Sequence, residues 1–192
     1  MGKPNKKEDR QTKDKNIKTF SVSFSLEKIT ENFSISTFTH LKSPKEEIIK
    51  QAINFHLQGN IQEASKYYQL FINQGFKDHR VFSNYGAILK DLGQLQEAEL
   101  LLLKATEINP DFAMGHSNLG MILRDLGKLQ EAELSTQKAI QLNPDFADAH
   151  LNLGNVLRDL GKFQEAELTT RKAIQLNPSF AIAHSNLGNV LR

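Results

Sequence analysis

RDLGKLQEAELSTQKAIQLNPDF spans Arg124–Phe146, and RDLGKFQEAELTTRKAIQLNPSF spans Arg158–Phe180, nearly the same text 34 residues later. A fixed period between about 20 and 50 residues redefines how a whole chain is read, because each copy is then one supersecondary unit of an array. Extending the period sets blocks at 45–78, 79–112, 113–146 and 147–180, with twelve residues of a fifth from Ala181. Gly59, Gly93, Gly127 and Gly161 fall in one column, and Ala64, Ala98, Ala132 and Ala166 in another.

Each block encodes two amphipathic helices. Counting from Ala147, His150, Leu153, Gly154, Leu157 and Leu160 share one side of a 3.6-residue helix. Gly161 supplies the left-handed conformation that ends it. A second helix is expected from about Phe163 to Leu176, with Ala166 and Ala173 at close-packing positions and Asn177-Pro178 as its stop. Gly86, Gly120, Gly154 and Gly188 stand in the middle of the first helices, where glycine costs about 1 kcal/mol relative to alanine. Close approach of the paired helix, through Ala98, Ala132 and Ala166, is the compensation this arrangement calls for.

These columns resemble the tetratricopeptide repeat, whose pattern has a small residue at position 8, alanine at 20 and 27, and proline at 32. The resemblance covers residues 45–192. It implies an all-α, right-handed superhelical solenoid of tandem helix-turn-helix repeats with a concave groove, acting as a protein-interaction module that binds an extended peptide. The first block departs from the pattern, with Phe71 in place of the alanine at 27 and Phe76 in place of the proline; position 24 reads Tyr68, Leu102, Thr136 and Thr170.

Residues 1–44 form a different region. They carry nine lysines and arginines against five acidic residues, whereas residues 45–192 carry fifteen against seventeen. The first 18 are almost wholly polar and have too little apolar surface to offset the entropy of ordering, so a disordered leader is expected. Phe20, Val22, Phe24 and Leu26 alternate as in a strand without an evident partner, which reads as a loosely docked segment ending at Ser43-Pro44. Glu8, Asp9 and Asp14 dilute the lysine charge, which argues against nucleic-acid binding by this tail. The chain has no apolar run of the roughly 18 residues needed to cross a membrane, so a cytoplasmic protein without a membrane partner is expected.

Chemistry is sparse. Without cysteine there is no disulfide, thiolate metal site or thiol nucleophile. His116, His150 and His184 recur at position 4, which the helical wheel places on the apolar side, one repeat apart and too far from one another to share a metal. Glu97, Glu131 and Glu165 open the second helices, where negative charge suits the helix dipole and a capping role is expected. No phosphate loop or serine elbow is present. The expectation is therefore no catalytic residue, no metal and no cofactor.

The candidate ligand-binding residues form columns instead. Asn84, Asn118, Asn152 and Asn186 occupy position 6, on the side of the first helix expected to face away from the buried seam. Asparagine is a mediocre helix former, but its amide both donates and accepts, which matches a peptide backbone. The other reading is a recently copied repeat that simply inherited it. Beside the asparagines run Met121, Asn155 and Asn189 at position 9, Lys90, Arg124 and Arg158 at position 12, and Asp91, Asp125 and Asp159 at position 13. The asparagine column resembles that of the superhelical arm of O-linked N-acetylglucosamine transferases. An alternative function follows from that likeness, a substrate-recruiting arm of a glycosyl-, sulfo- or methyltransferase whose catalytic part lies elsewhere. A clamp for chaperone C-terminal carboxylates needs lysine at position 5, where this chain has Ser83, Ser117, Leu151 and Ser185. Finally, Leu187, Val190 and Leu191 have no following second helix, so self-association through that C-terminal helix is a further expectation.

Overall fold

The computed structural model describes residues 43–190. The polar leader, the alternating Phe20–Leu26 segment, Leu191 and Arg192 lie outside the described residues. Residues 43–190 belong to one compact unit. The described helices are α1 (Pro44–Leu57), α2 (Ile61–Asn73), α3 (His79–Asp91), α4 (Leu95–Ile108), α5 (Ala113–Asp125), α6 (Leu129–Leu142), α7 (Ala147–Asp159), α8 (Phe163–Leu176) and α9 (Ala181–Val190).

Their ends follow local chemistry. Ser43 caps α1 through its side chain onto the Glu46 amide, with Pro44 at the first turn, where its missing N–H costs nothing. The turns inside the pairs close on Gly59, Gly93, Gly127 and Gly161, all at φ between 72° and 77°, as the sequence columns predict. Asp78 starts α3 by accepting from the Arg80 amide at 2.9 Å and from its guanidinium. Burial pushes the Asp78 carboxyl upward, but the Arg80 hydrogen bonds and charge outweigh it and hold the group below its ordinary value.

Each first helix from α1 to α7 packs on its own second helix, each second helix packs on the first helix of the next repeat, and α3, α5, α7 and α9 also touch in succession. The first helices therefore make the tightly spaced inner layer, and the second helices lie outside it. That difference in spacing curves the array, with the first helices on the concave side.

The mid-helix glycines are where each pair closes. A Cβ on Gly86 would come 3.1 Å from Leu102 Cγ. On Gly120 it would collide with the Thr136 methyl and stand 3.2 Å from the Ala132 carbonyl oxygen; on Gly154 it would collide with the Thr170 hydroxyl. The expected close approach is present, and the residue at position 24 is its nearest point. Leu102, Thr136 and Thr170 are all buried there. Thr136 donates its hydroxyl to the Ala132 carbonyl at 2.8 Å, so a polar side chain fits the apolar contact with its hydrogen bond made. In the first repeat Phe71 and Phe76 pack ring against ring at 5.4 Å. The two departures from the repeat pattern are thus one compensated substitution.

The histidines differ from their expected place. Position 4 is an edge of the core: Phe82 fills it in the second repeat and is buried, whereas His116 and His150 are half-buried and His184 is exposed. Their Nε2 atoms lie 2.8–2.9 Å from the carbonyl oxygens of Pro110, Pro144 and Pro178, tying each first helix to the turn that precedes it. The glutamates at the start of α4, α6 and α8 sit in the first turn, but those helices have no side-chain capping bond. They place negative charge at the helix N-terminus without capping it.

Two stability tests follow. Gly154→Val should lose about 1–3 kcal/mol from overpacking against α8, whereas Gly188→Ala, with nothing within 4 Å, should gain up to about 1 kcal/mol from helix propensity; urea denaturation followed by circular dichroism distinguishes them. Leu153→Ala, which removes a buried side chain packed with Leu157 and Ala166, should cost about 2–5 kcal/mol in the same measurement.

Candidate functional site

The asparagine column lines the inner layer but does not simply face away from the seam. All four residues are half-buried. Asn118 Nδ2 donates to Ser83 Oγ at 3.2 Å, and Asn152 Nδ2 to Ser117 Oγ at 3.0 Å, each bond crossing from one repeat to the one before. Ser83 and Ser117 are themselves buried. Leu151 offers no acceptor at the equivalent place, and Asn186 Nδ2 turns instead to Asn155 Oδ1 at 2.8 Å. In the first repeat Ile49 offers no acceptor; burial pushes the Tyr68 hydroxyl pKa up, with the Asn84 side chain offsetting part of that, and the hydroxyl lies 3.2 Å from His56 Nδ1. The position-6 amide therefore pins consecutive first helices together, a role the sequence signals only through the accompanying serine column.

One amide donor is spent on this contact. Among the described residues no hydrogen bond reaches the Oδ1 atoms of Asn118 and Asn152. The second amide N–H and the Oδ1 of each side chain thus remain without a partner among the described residues.

The neighbouring columns converge there. Lys90, Met121, Arg124, Asp125, Asn152 and Asn155 line one cleft of about 130 Å³, six of the residues singled out from the sequence. Arg124 reaches across the repeat boundary to Asp159 at 2.6 Å and lies 3.9 Å from Asp125. Arg158 pairs with the same Asp159 at 3.0 Å, and Lys90 lies 3.6 Å from Asp91. The cleft is polar and its charges are largely matched within the protein. Asn189 is exposed on α9, beyond this cluster.

A second concavity, of about 560 Å³, lies over α1 and reaches Arg80. Ile49, Ile53 and Leu57 follow one another at four-residue steps along it, with Lys50 in the place where later repeats have asparagine. Leu57 is 84% exposed, where the later repeats have Asp91, Asp125 and Asp159. The inner surface thus has an apolar end and a polar middle. Sequence reasoning passed over this stripe, whose signal was the i, i+4, i+8 spacing of the three residues. At the other end, Ile182 is 61% exposed and Gly188 meets no second helix.

Among the described residues no three His, Asp or Glu side chains come together as a metal site, and no helix is long and apolar enough to cross a membrane.

Profiles of the tetratricopeptide repeat match residues 79–112, 101–133 and 147–180, and a TPR repeat profile matches 120–161. No curated protein matches the chain. Among solved structures, MamA 41-end from Desulfovibrio magneticus RS-1 is similar at 19% identity and a TM-score of 0.68, covering 79% of this chain and 85% of that one. YrrB, described as a TPR protein with an unusual peptide-binding site, is similar at 22% identity and a TM-score of 0.66, covering 74% and 73%. The first TPR of Spaghetti (RPAP3), bound to the HSP90 peptide SRMEEVD, is similar at 22% identity and a TM-score of 0.57, covering 59% and 90%. These likenesses show the fold; similarity to a transferase arm in particular is not shown. Repeat period, paired glycine and alanine columns, and profile matches running without a gap from residue 79 to 180 agree, and the chain belongs to the tetratricopeptide-repeat family.

Proposed function

We propose that this chain is a protein-interaction module, without a reaction of its own, whose concave face takes an extended peptide segment. The observation that carries this reading is the cleft in which Asn152, Asn155, Lys90, Arg124, Asp125 and Met121 meet. Asn152 is held by its bond to Ser117 of the repeat behind and keeps an Oδ1 without a hydrogen bond among the described residues, while Asn155 Oδ1 accepts from Asn186. An amide fixed by one bond and open at the other end suits the peptide backbone, which presents an N–H and a carbonyl at every residue. The apolar concavity at Ile53 and Leu57 suits a hydrophobic side chain at one end of such a peptide.

Peptide binding by YrrB and by the RPAP3 repeat supports the class of ligand. The internal charge pairing argues against strong selection of an acidic or basic peptide. Each net hydrogen bond contributes about 0.5–1.5 kcal/mol, so the asparagines supply a few kcal/mol and affinity should be micromolar or weaker.

The test is a peptide selected from a displayed random library on the intact protein, then titrated by fluorescence anisotropy. Asn118→Ala with Asn152→Ala should weaken binding at least about tenfold, whereas Lys172→Ala on the outer layer should not. Equal binding by the double variant and the parent would refute the groove. Because each asparagine also bonds a buried serine, each single change should also lower stability by about 1 kcal/mol, read from urea midpoints, and binding is to be compared where both proteins are folded.

A further inference from the structure

We propose that the outer face of α4, α6 and α8 is a self-association surface whose occupant is a second copy of this chain. Position 22 holds Leu100, Leu134 and Leu168, which are 62%, 67% and 69% exposed. Leucine is among the residues most often buried, and single exposed ones need no explanation. Three in register, one per repeat, on the outer wall of an array form a stripe. The first repeat has Lys66 at this position, so the stripe begins at α4.

Each leucine is flanked along its own helix by an acid one turn earlier and a lysine one turn later: Glu97 and Lys104, Glu131 and Lys138, Glu165 and Lys172. Residues at i−3 and i+4 share the leucine's face. None of these six charges has an ion-pair partner among the described residues. The adjacent glutamates behave otherwise: Glu99 and Glu133 are each held by a lysine of the next repeat, Lys128 at 2.6 Å and Lys162 at 2.7 Å. The outer face thus keeps three acid–leucine–lysine rows without an ion pair among the described residues.

The order of those rows selects the partner and its orientation. Two copies meeting face to face with these helices parallel would set glutamate against glutamate. A two-fold axis running along the leucine stripe makes them antiparallel. Each leucine then meets its equivalent, Glu131 faces Lys138 of the second copy, and the other two rows match in the same way. A face that is its own complement under a half-turn is what an isologous dimer requires, and two-fold dimers are the commonest assembly. Because this layer is the convex one, the row on α6 makes the closest approach. Contact centred on one row of a convex face is small beside the roughly 1,200–2,000 Å² of a standard stable interface, so a weak and reversible association is expected.

Sedimentation equilibrium on the full chain tests this. The weight-average mass should rise from that of the 21.7 kDa chain toward twice that value as concentration increases to about 1 mM. Leu134→Lys should abolish the rise while leaving the thermal melt unchanged, since the side chain is exposed. Glu131→Lys should weaken association about tenfold by setting like charges together, and adding Lys138→Glu should restore it, because the exchanged pair has the same complement. A chain that stays monomeric throughout overturns the proposal, as does association indifferent to Leu134→Lys, or a double variant no better than Glu131→Lys alone. Association lost only on Ile182→Lys overturns it in favour of the open face of α9.

Discussion

The structure depends on how closely two helices can approach. At Gly86, Gly120 and Gly154 the space for a side chain is already taken by the partner helix, and the alanine columns keep that partner small along the same line. The propensity lost by glycine in mid-helix is offset by contact that a larger residue would prevent. Given this pairing, the rest is stacking: a helix pair has apolar surface left on both sides and must cover it with another pair.

Stacking is reinforced by polar ties on both layers. On the inner layer the position-6 asparagine bonds the serine of the repeat before it. On the outer layer Lys128 and Lys162 bond Glu99 and Glu133, and this pairing raises the ammonium pKa of both lysines. The inner ties are half-buried and fix geometry; the outer ones are largely solvated and worth little individually. A groove asparagine is therefore a packing residue and a surface residue at once.

The repeat period made the helices, their turns and the paired glycine and alanine columns legible, because each rests on contacts within one block or between neighbours. What the sequence hid was partnership between side chains far apart in it. The asparagine column reads as an exposed ladder on a helical wheel, yet a wheel holds one helix and cannot show Ser83 or Ser117 arriving from the helix alongside. The histidines fall on the apolar side for the same reason, although their Nε2 atoms reach the proline carbonyls of the preceding turn. Phe71 and Phe76 look like two defects until their rings are seen together. Attention to Glu97, Glu131 and Glu165 passed over Glu99 and Glu133 two residues on, which are the ones that bond.

The ties between repeats have one further property. The lysine–glutamate bonds join residues 29 apart and the asparagine–serine bonds residues 35 apart, and among the described residues no side-chain hydrogen bond reaches farther along the chain. Every such dependence stops at the adjacent module. Excision of the module at 113–146 would bring Asn152 to Ser83 and Lys162 to Glu99, acceptors of the same kind as those lost, so the middle of the array tolerates changes of length that would orphan buried groups in a fold knitted by distant contacts. Near-identical text at Arg124–Phe146 and Arg158–Phe180 is what such tolerance permits.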